Sequence, residues 1–101
     1  MAVRKKEDAT RVLGDVSGDK RFFCHDGCIA SNLQQLAECL SHMDEQSYNH
    51  HVTGEKNDFS NWVRDVFGDH RLANELARSR NKDEAIRVLT GRIAWLKRKL
   101  R

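Results

Sequence analysis

The chain has 101 residues, 33% of them charged and 39% apolar, with a formal net charge of +3 and no proline. That length holds one domain, the composition is too apolar for a disordered chain, and no apolar run reaches the roughly 20 residues of a membrane span. Lack of proline suits helices better than a loop-rich all-β fold, which uses proline in its turns.

Residues 1–20 alternate charges with little hydrophobic period, and Ala9, Val12 and Leu13 offer only one short helical face. The segment reads as a mobile arm or a frayed helix ahead of a single domain over residues 21–101. It contains no apolar secretory signal. Phe22–Phe23 and Cys28–Ile29 then flank Asp26-Gly27, the dipeptide of a type I′ hairpin turn, so a short β-hairpin is expected near residues 22–29. It must pack on helices to persist.

Ser31 and Asn32 offer an N-cap, with Gln34 completing a capping box on Ser31, and Leu33, Leu36, Ala37 and Leu40 give a helical stripe. Asp44 caps a second helix, with Met43 stapling onto Tyr48. There His51 shares a face with Tyr48 and Val52, while His50 points away. Gly54 is expected to end it in a left-handed conformation. Asn57 or Asp58 starts the next helix, whose Phe59, Trp62, Val63, Val66 and Phe67 form the strongest stripe in the chain. Gly68 stops it, and Asp69 caps a helix with Leu72, Ala73, Leu76 and Ala77 inward. Asn81, with Glu84 three residues on, opens the last helix.

That helix has two apolar faces. Ile86, Leu89, Ile93, Leu96 and Leu100 form a heptad-like seam, and Val88, Arg92, Trp95 and Lys99 line the opposite side. Gly91 lies between, at a cost of about 1 kcal/mol relative to alanine, and is expected to mark close packing against another helix. The fold class is therefore mostly α, a compact bundle of four or five short helices with a small N-terminal hairpin. Trp62 should be buried and Trp95 partly exposed.

The run HVTGEKNDFSNWVRDVFGDHRLA, residues 51–73, resembles the signature of an uncharacterised, largely archaeal family of small helical domains. Its pattern is His-Val, a short spacer, Lys-Asn-Asp-Phe, then Trp, Asp-Val-Phe, Asp and Leu-Ala. The stretch 22–36 is similar to the segment that leads into it, so the likeness spans about residues 22 to 95. It implies a small helical fold and carries no activity or ligand. His51, Asn57, Asp58, Phe59, Trp62, Asp65 and Phe67 match the motif; His50, Cys24 and Cys28 lie outside it.

Three constellations carry chemistry. His51, Lys56, Asn57, Asp58 and Trp62 have the residue types of an acid–base or small-ligand site. Helical geometry instead reads them as a capped corner between two helices. Cys24-x3-Cys28 followed by Cys39-x2-His42 falls within zinc-ligand spacing. With an odd number of cysteines and no export signal, free thiols in a reducing cytoplasm are the simpler reading, so neither metal nor cofactor is expected.

The third constellation is the basic end. Residues 41–70 carry two Lys/Arg against six Asp/Glu, whereas residues 71–101 carry ten against three. Arg92, Trp95, Lys97, Arg98, Lys99 and Arg101 form a cationic surface that can meet an acidic protein or a phosphate backbone. The chain therefore reads as a non-enzymatic, cytoplasmic interaction module that binds a protein partner or self-associates, with no membrane role. A nucleic-acid-binding or ribosome-associated role through the last helix comes second. An enzyme or small-ligand binder around His51, Asp58 and Lys56 comes last.

Overall fold

The structure, a computed structural model, describes residues 6–100; the first five residues of the expected arm and Arg101 lie outside it. The described residues form a mostly α fold of six helices with one two-stranded antiparallel sheet.

Helix α1 (Lys6–Leu13) packs against helices α2 (Leu33–His42) and α6 (Lys82–Arg98). Ala9 and Val12 are fully buried, and the Arg11 guanidinium donates to the Phe67 carbonyl at 2.5 Å. Of the two readings of this segment, arm or frayed helix, residues 6–13 follow the helical one, and their Ala9/Val12 face is packed into the fold. Its apolar face is only two or three residues wide, too short to register as a period. The surfaces it covers come from distant parts of the chain.

Strands β1 (Phe22–Phe23) and β2 (Ile29–Ala30) form the hairpin, with Phe22 opposite Ala30 and Phe23 opposite Ile29. Phe22 and Ala30 face the core, while Phe23 and Ile29 face outward, 53% and 47% exposed. The turn differs from expectation. Gly27 alone has positive φ (95°), its N–H donates to the Cys24 carbonyl, and the Cys24 N–H donates to Cys28. This is a three-residue loop closed by a glycine bulge, so Asp26 is spared the left-handed conformation that a type I′ turn would impose.

In α2 the cap is Asn32, whose side chain accepts from the Gln35 N–H, while the Gln35 side chain accepts from the Ser31 N–H. The capping pair sits one residue later than the Ser31/Gln34 box. The hairpin is tied to α2 by a Cys28–Cys39 disulfide across a Cα separation of 5.9 Å, and only Cys24 is a free thiol. The expectation of three free thiols is corrected accordingly. Strand β2 lies against α2, which brings two cysteines eleven residues apart within bonding reach.

Helix α3 (Glu45–His51) starts at Asp44, which accepts from the Ser47 N–H, and ends at Val52. Gly54 is not left-handed. The chain reverses through a β-bridge between Val52 and Asn57, with the Thr53 N–H donating to the Lys56 carbonyl, so no glycine cap is needed. Helix α4 (Asp58–Trp62) runs into a π-helical turn (Val63–Phe67), and Gly68, φ 68°, stops it in the left-handed region. Helix α5 (His70–Ala77) begins at Asp69; Leu72, Ala73 and Leu76 are buried but Ala77 is exposed. Asn81 caps α6 through the Glu84 N–H.

The core is the meeting of the α2 stripe, the α4 stripe and the Leu89/Ile93/Leu96 seam of α6, with Phe22, Met43 and Tyr48 filling between. Trp62 is 8% exposed and Trp95 half-buried. A Cβ placed on Gly91 would meet no atom within 4 Å. Gly91 is thus exposed on open space, and it does not mark close helix packing.

Candidate functional site

Two places gather polar side chains. The first is the corner between α3 and α4. His51 is 5% exposed there, with Phe22 and Phe59 rings 5.1 and 5.2 Å away. The backbone N–H of His25 donates to its Nε2 at 2.9 Å. Nε2 must therefore carry the lone pair, which puts the proton of the neutral ring on Nδ1. Nδ1 faces Asp58 Oδ2 at 3.0 Å and donates to it. Both ring nitrogens are engaged.

The same Asp58 oxygen accepts from Lys56 Nζ at 2.8 Å. Burial pushes the Asp58 carboxyl up, but the Lys56 and His51 hydrogen bonds outweigh it and hold the group below its ordinary value, so it stays ionised. His50 is exposed and stacks on His25 with centroids 4.0 Å apart. Partial desolvation, then the neighbouring His25, His51 and Lys56, hold its imidazole below the usual value.

Asn57 and Trp62 are tied down in the same region. The Asn57 side chain accepts from the Ser60 N–H and donates to the Leu76 carbonyl, closing the end of α5. Ser60 Oγ donates to the Ala73 carbonyl at 2.7 Å, zipping α4 to α5. Trp62 Nε1 donates to the Lys20 carbonyl at 2.7 Å. The side chains of His51, Asn57, Asp58, Ser60 and Trp62 each bond to another part of the chain, whereas the buried Tyr48 hydroxyl of α3 has no hydrogen-bond partner among the described residues. Nothing in the sequence pointed to His25, because it acts through its backbone N–H.

The zinc constellation is taken apart. Cys28 and Cys39 are bonded to each other, and His42 Nδ1 hydrogen-bonds the Glu38 carbonyl within its own helix. Burial and the Asp26 carboxylate push the Cys24 thiol up to about 11, far from a thiolate ligand. Among the described residues no group of three or more metal-ligating side chains gathers.

The second place is a groove of about 330 Å³ between α5 and α6. Arg71 and Glu75 line it from α5. From α6 come Arg87, Val88, Gly91, Arg92, Trp95 and Arg98, the second face of that helix. Its foundation is a buried ion pair. Asp69, fully buried, accepts from Arg92 Nε at 2.8 Å and Nη2 at 3.0 Å, and also caps α5 through the Leu72 N–H at 3.1 Å. The Arg92 guanidinium, 8% exposed as a residue, lies 4.4 Å from the centre of the Trp95 ring, with Lys99 Nζ at 4.6 Å. The indole thus contacts a buried, ion-paired guanidinium and an exposed ammonium.

Of the four arginines lining the groove, Arg92 is neutralised by Asp69 and Arg71 leans on Glu75 at 3.5 Å. Among the described residues the side chains of Arg87 and Arg98 make no ion pair or hydrogen bond, although Arg87 is near enough to Glu84 to help the hydrogen bonds from Arg80 hold its carboxyl below the ordinary value. The groove therefore offers two guanidiniums without a bonded partner at its ends, with Val88, Gly91 and Trp95 between. Of the residues expected to contact a partner, Trp95 and Arg98 line the groove, Arg92 is its buried support, Lys97 and Lys99 are exposed beside it, and Arg101 lies outside the described residues. Sequence reasoning missed Arg71, Glu75, Arg87 and Asp69. One signal was available: an arginine in register with Val88 and Trp95 on a half-buried face needs a buried anion.

No helix among the described residues is long and apolar enough to cross a membrane. Scanned against family models, curated proteins and solved structures, the chain finds no match, and the family resemblance of residues 51–73 rests on its motif alone.

Proposed function

We propose that this domain is a non-enzymatic interaction module that recognises an acidic stretch of a protein partner through the α5–α6 groove. The observation that carries the reading is the pair of guanidiniums without a bonded partner, Arg87 and Arg98, flanking Val88, Gly91 and Trp95 over the buried Asp69–Arg92 ion pair. Arginine forks suit carboxylates, and the net charge of residues 71–101 steers anions toward them. The corner at His51 supports the same reading from the other side, since both its nitrogens are held by the fold. The disulfide suits an oxidising environment, so cytoplasmic residence no longer draws support from free thiols.

A nucleic-acid partner is the second reading, favoured by exposed Lys97, Arg98 and Lys99 beside Trp95. Against it, a base stacking on Trp95 would compete with the Arg92 and Lys99 contacts to that ring. Capture from native lysate separates them, using the wild type and an Arg87→Ala/Arg98→Ala variant as baits. A partner held through nuclease treatment and lost with the variant is the expected result. A partner released by nuclease points to nucleic acid, capture of the chain by itself marks self-association, and equal capture by both baits contradicts the groove.

A further inference from the structure

We infer that the groove reads a short extended motif of the form acidic–x–apolar–x–acidic, with the apolar side chain seated over Gly91. This deepens the reading above and rests on it. Arg87 and Arg98 are eleven residues apart on α6, about 16 Å along a helix axis. Between them the wall drops to backbone at Gly91, where even a Cβ would meet nothing, and Val88 and Trp95 stand on either side. The result is a notch with apolar flanks and a cation at each end. Its volume suits a side chain and its neighbours rather than a whole helix.

An extended peptide turns alternate side chains to one face, at about 3.3 Å per residue. The first, third and fifth residues then face the groove over about 13 Å, a span that two flexible arginine side chains 16 Å apart can close upon. Two carboxylates match the two guanidiniums that lack a bonded partner in number and sign, and the third residue falls over the notch. Glu75, on the α5 wall, repels acid there and keeps the carboxylates on the α6 side. The Asp69–Arg92 pair holds Trp95 as one flank of the notch, so the flank is rigid before a ligand arrives.

Gly91 makes the inference separable from folding. Replacing a helical glycine that has open space around it favours the helix, so Gly91→Ala should raise Tm and Gly91→Leu should not lower it. Only the leucine side chain is large enough to occupy the notch. The probe is a fluorescein-labelled peptide, Gly-Glu-Ser-Leu-Ser-Glu-Gly, and its control carries serine in place of leucine. Titrated by anisotropy, the leucine peptide is expected to bind more tightly than the control, and to lose about tenfold in affinity with Gly91→Leu. The control should be unaffected by that substitution. Equal binding of the two peptides, or of wild type and Gly91→Leu, overturns the notch, and the acidic reading survives if Arg87→Glu/Arg98→Glu still removes binding. Binding that is indifferent to that charge reversal overturns both. A twelve-nucleotide single strand that outcompetes the leucine peptide at 150 mM salt overturns both in favour of nucleic acid.

Discussion

Asp69→Ala is expected to destabilise the fold by about 3–5 kcal/mol, the usual result of stripping one partner from a buried ion pair, with a loss in Tm on the order of 20 °C for a domain this size. The side chain is fully buried and does two things at once. It accepts both nitrogens of the Arg92 fork and caps α5 through Leu72. Alanine leaves a guanidinium in a dry site without its counter-charge and leaves an α5 N–H unpaired. Asp69→Asn, which keeps the cap and a partial acceptor for Arg92, should cost distinctly less. Thermal unfolding followed by circular dichroism reads both. A loss under about 1 kcal/mol for Asp69→Ala would mean that Arg92 finds water or another anion, and that Trp95 is not held as described.

The second large effect concerns the disulfide. Closing a loop between Cys28 and Cys39, eleven residues apart, restricts the unfolded chain and contributes about 3 kcal/mol in the chain-entropy treatment. Cys28→Ser should therefore lower Tm by on the order of 15 °C, and a strong reductant should bring the wild type down by a similar amount. Cys24→Ser should leave the effect of reductant intact, because Cys24 is the unpaired thiol. An unfolding curve indifferent to reductant would show that the two sulfurs are not joined in solution. The hairpin is the element most exposed to the loss, since two strands of two residues depend on α2 for their place.

What could be read from the sequence divides along the range of the interactions. Local signals were legible. Asn81 with Glu84, Asp44, Asp69 as a cap and Gly68 as a left-handed stop each act within one helical turn. The inward turn of His51 and outward turn of His50 follow from 100° per residue. The hairpin turn type, the register of the α2 cap and Gly54 failed locally, and the larger failures involve distant partners. Arg92 and Asp69 are 23 positions apart, and His51 is held by a backbone N–H 26 positions away. Cys28 and Cys39 had a spacing that fits zinc as well as a bond, and only the lie of the hairpin on α2 decides between them. Gly54 misled because a β-bridge took over the work of a cap.

The same division explains why the partner surface expected on the last helix gained unforeseen residues from α5. The corner from His51 to Trp62 concentrates functional residue types in twelve positions, and the fold consumes them in capping and bracing. The groove is assembled from one face of α6 and two residues of α5, none adjacent in sequence in a way that reads as a motif. Its charge was legible as a total; its shape depended on where α5 lies.

The most direct measurement is a titration of ¹⁵N-labelled protein with the Glu-Ser-Leu-Ser-Glu peptide, followed by amide and indole chemical shifts. Perturbations are expected at Arg87, Val88, Gly91, Arg98 and the Trp95 indole, weakening with added salt, while the Trp62 indole and the amides of His51 and Asp58 stay still. Perturbations gathered instead on His25, His50 and Lys56 would contradict the assignment of function to the α5–α6 groove and return it to the corner.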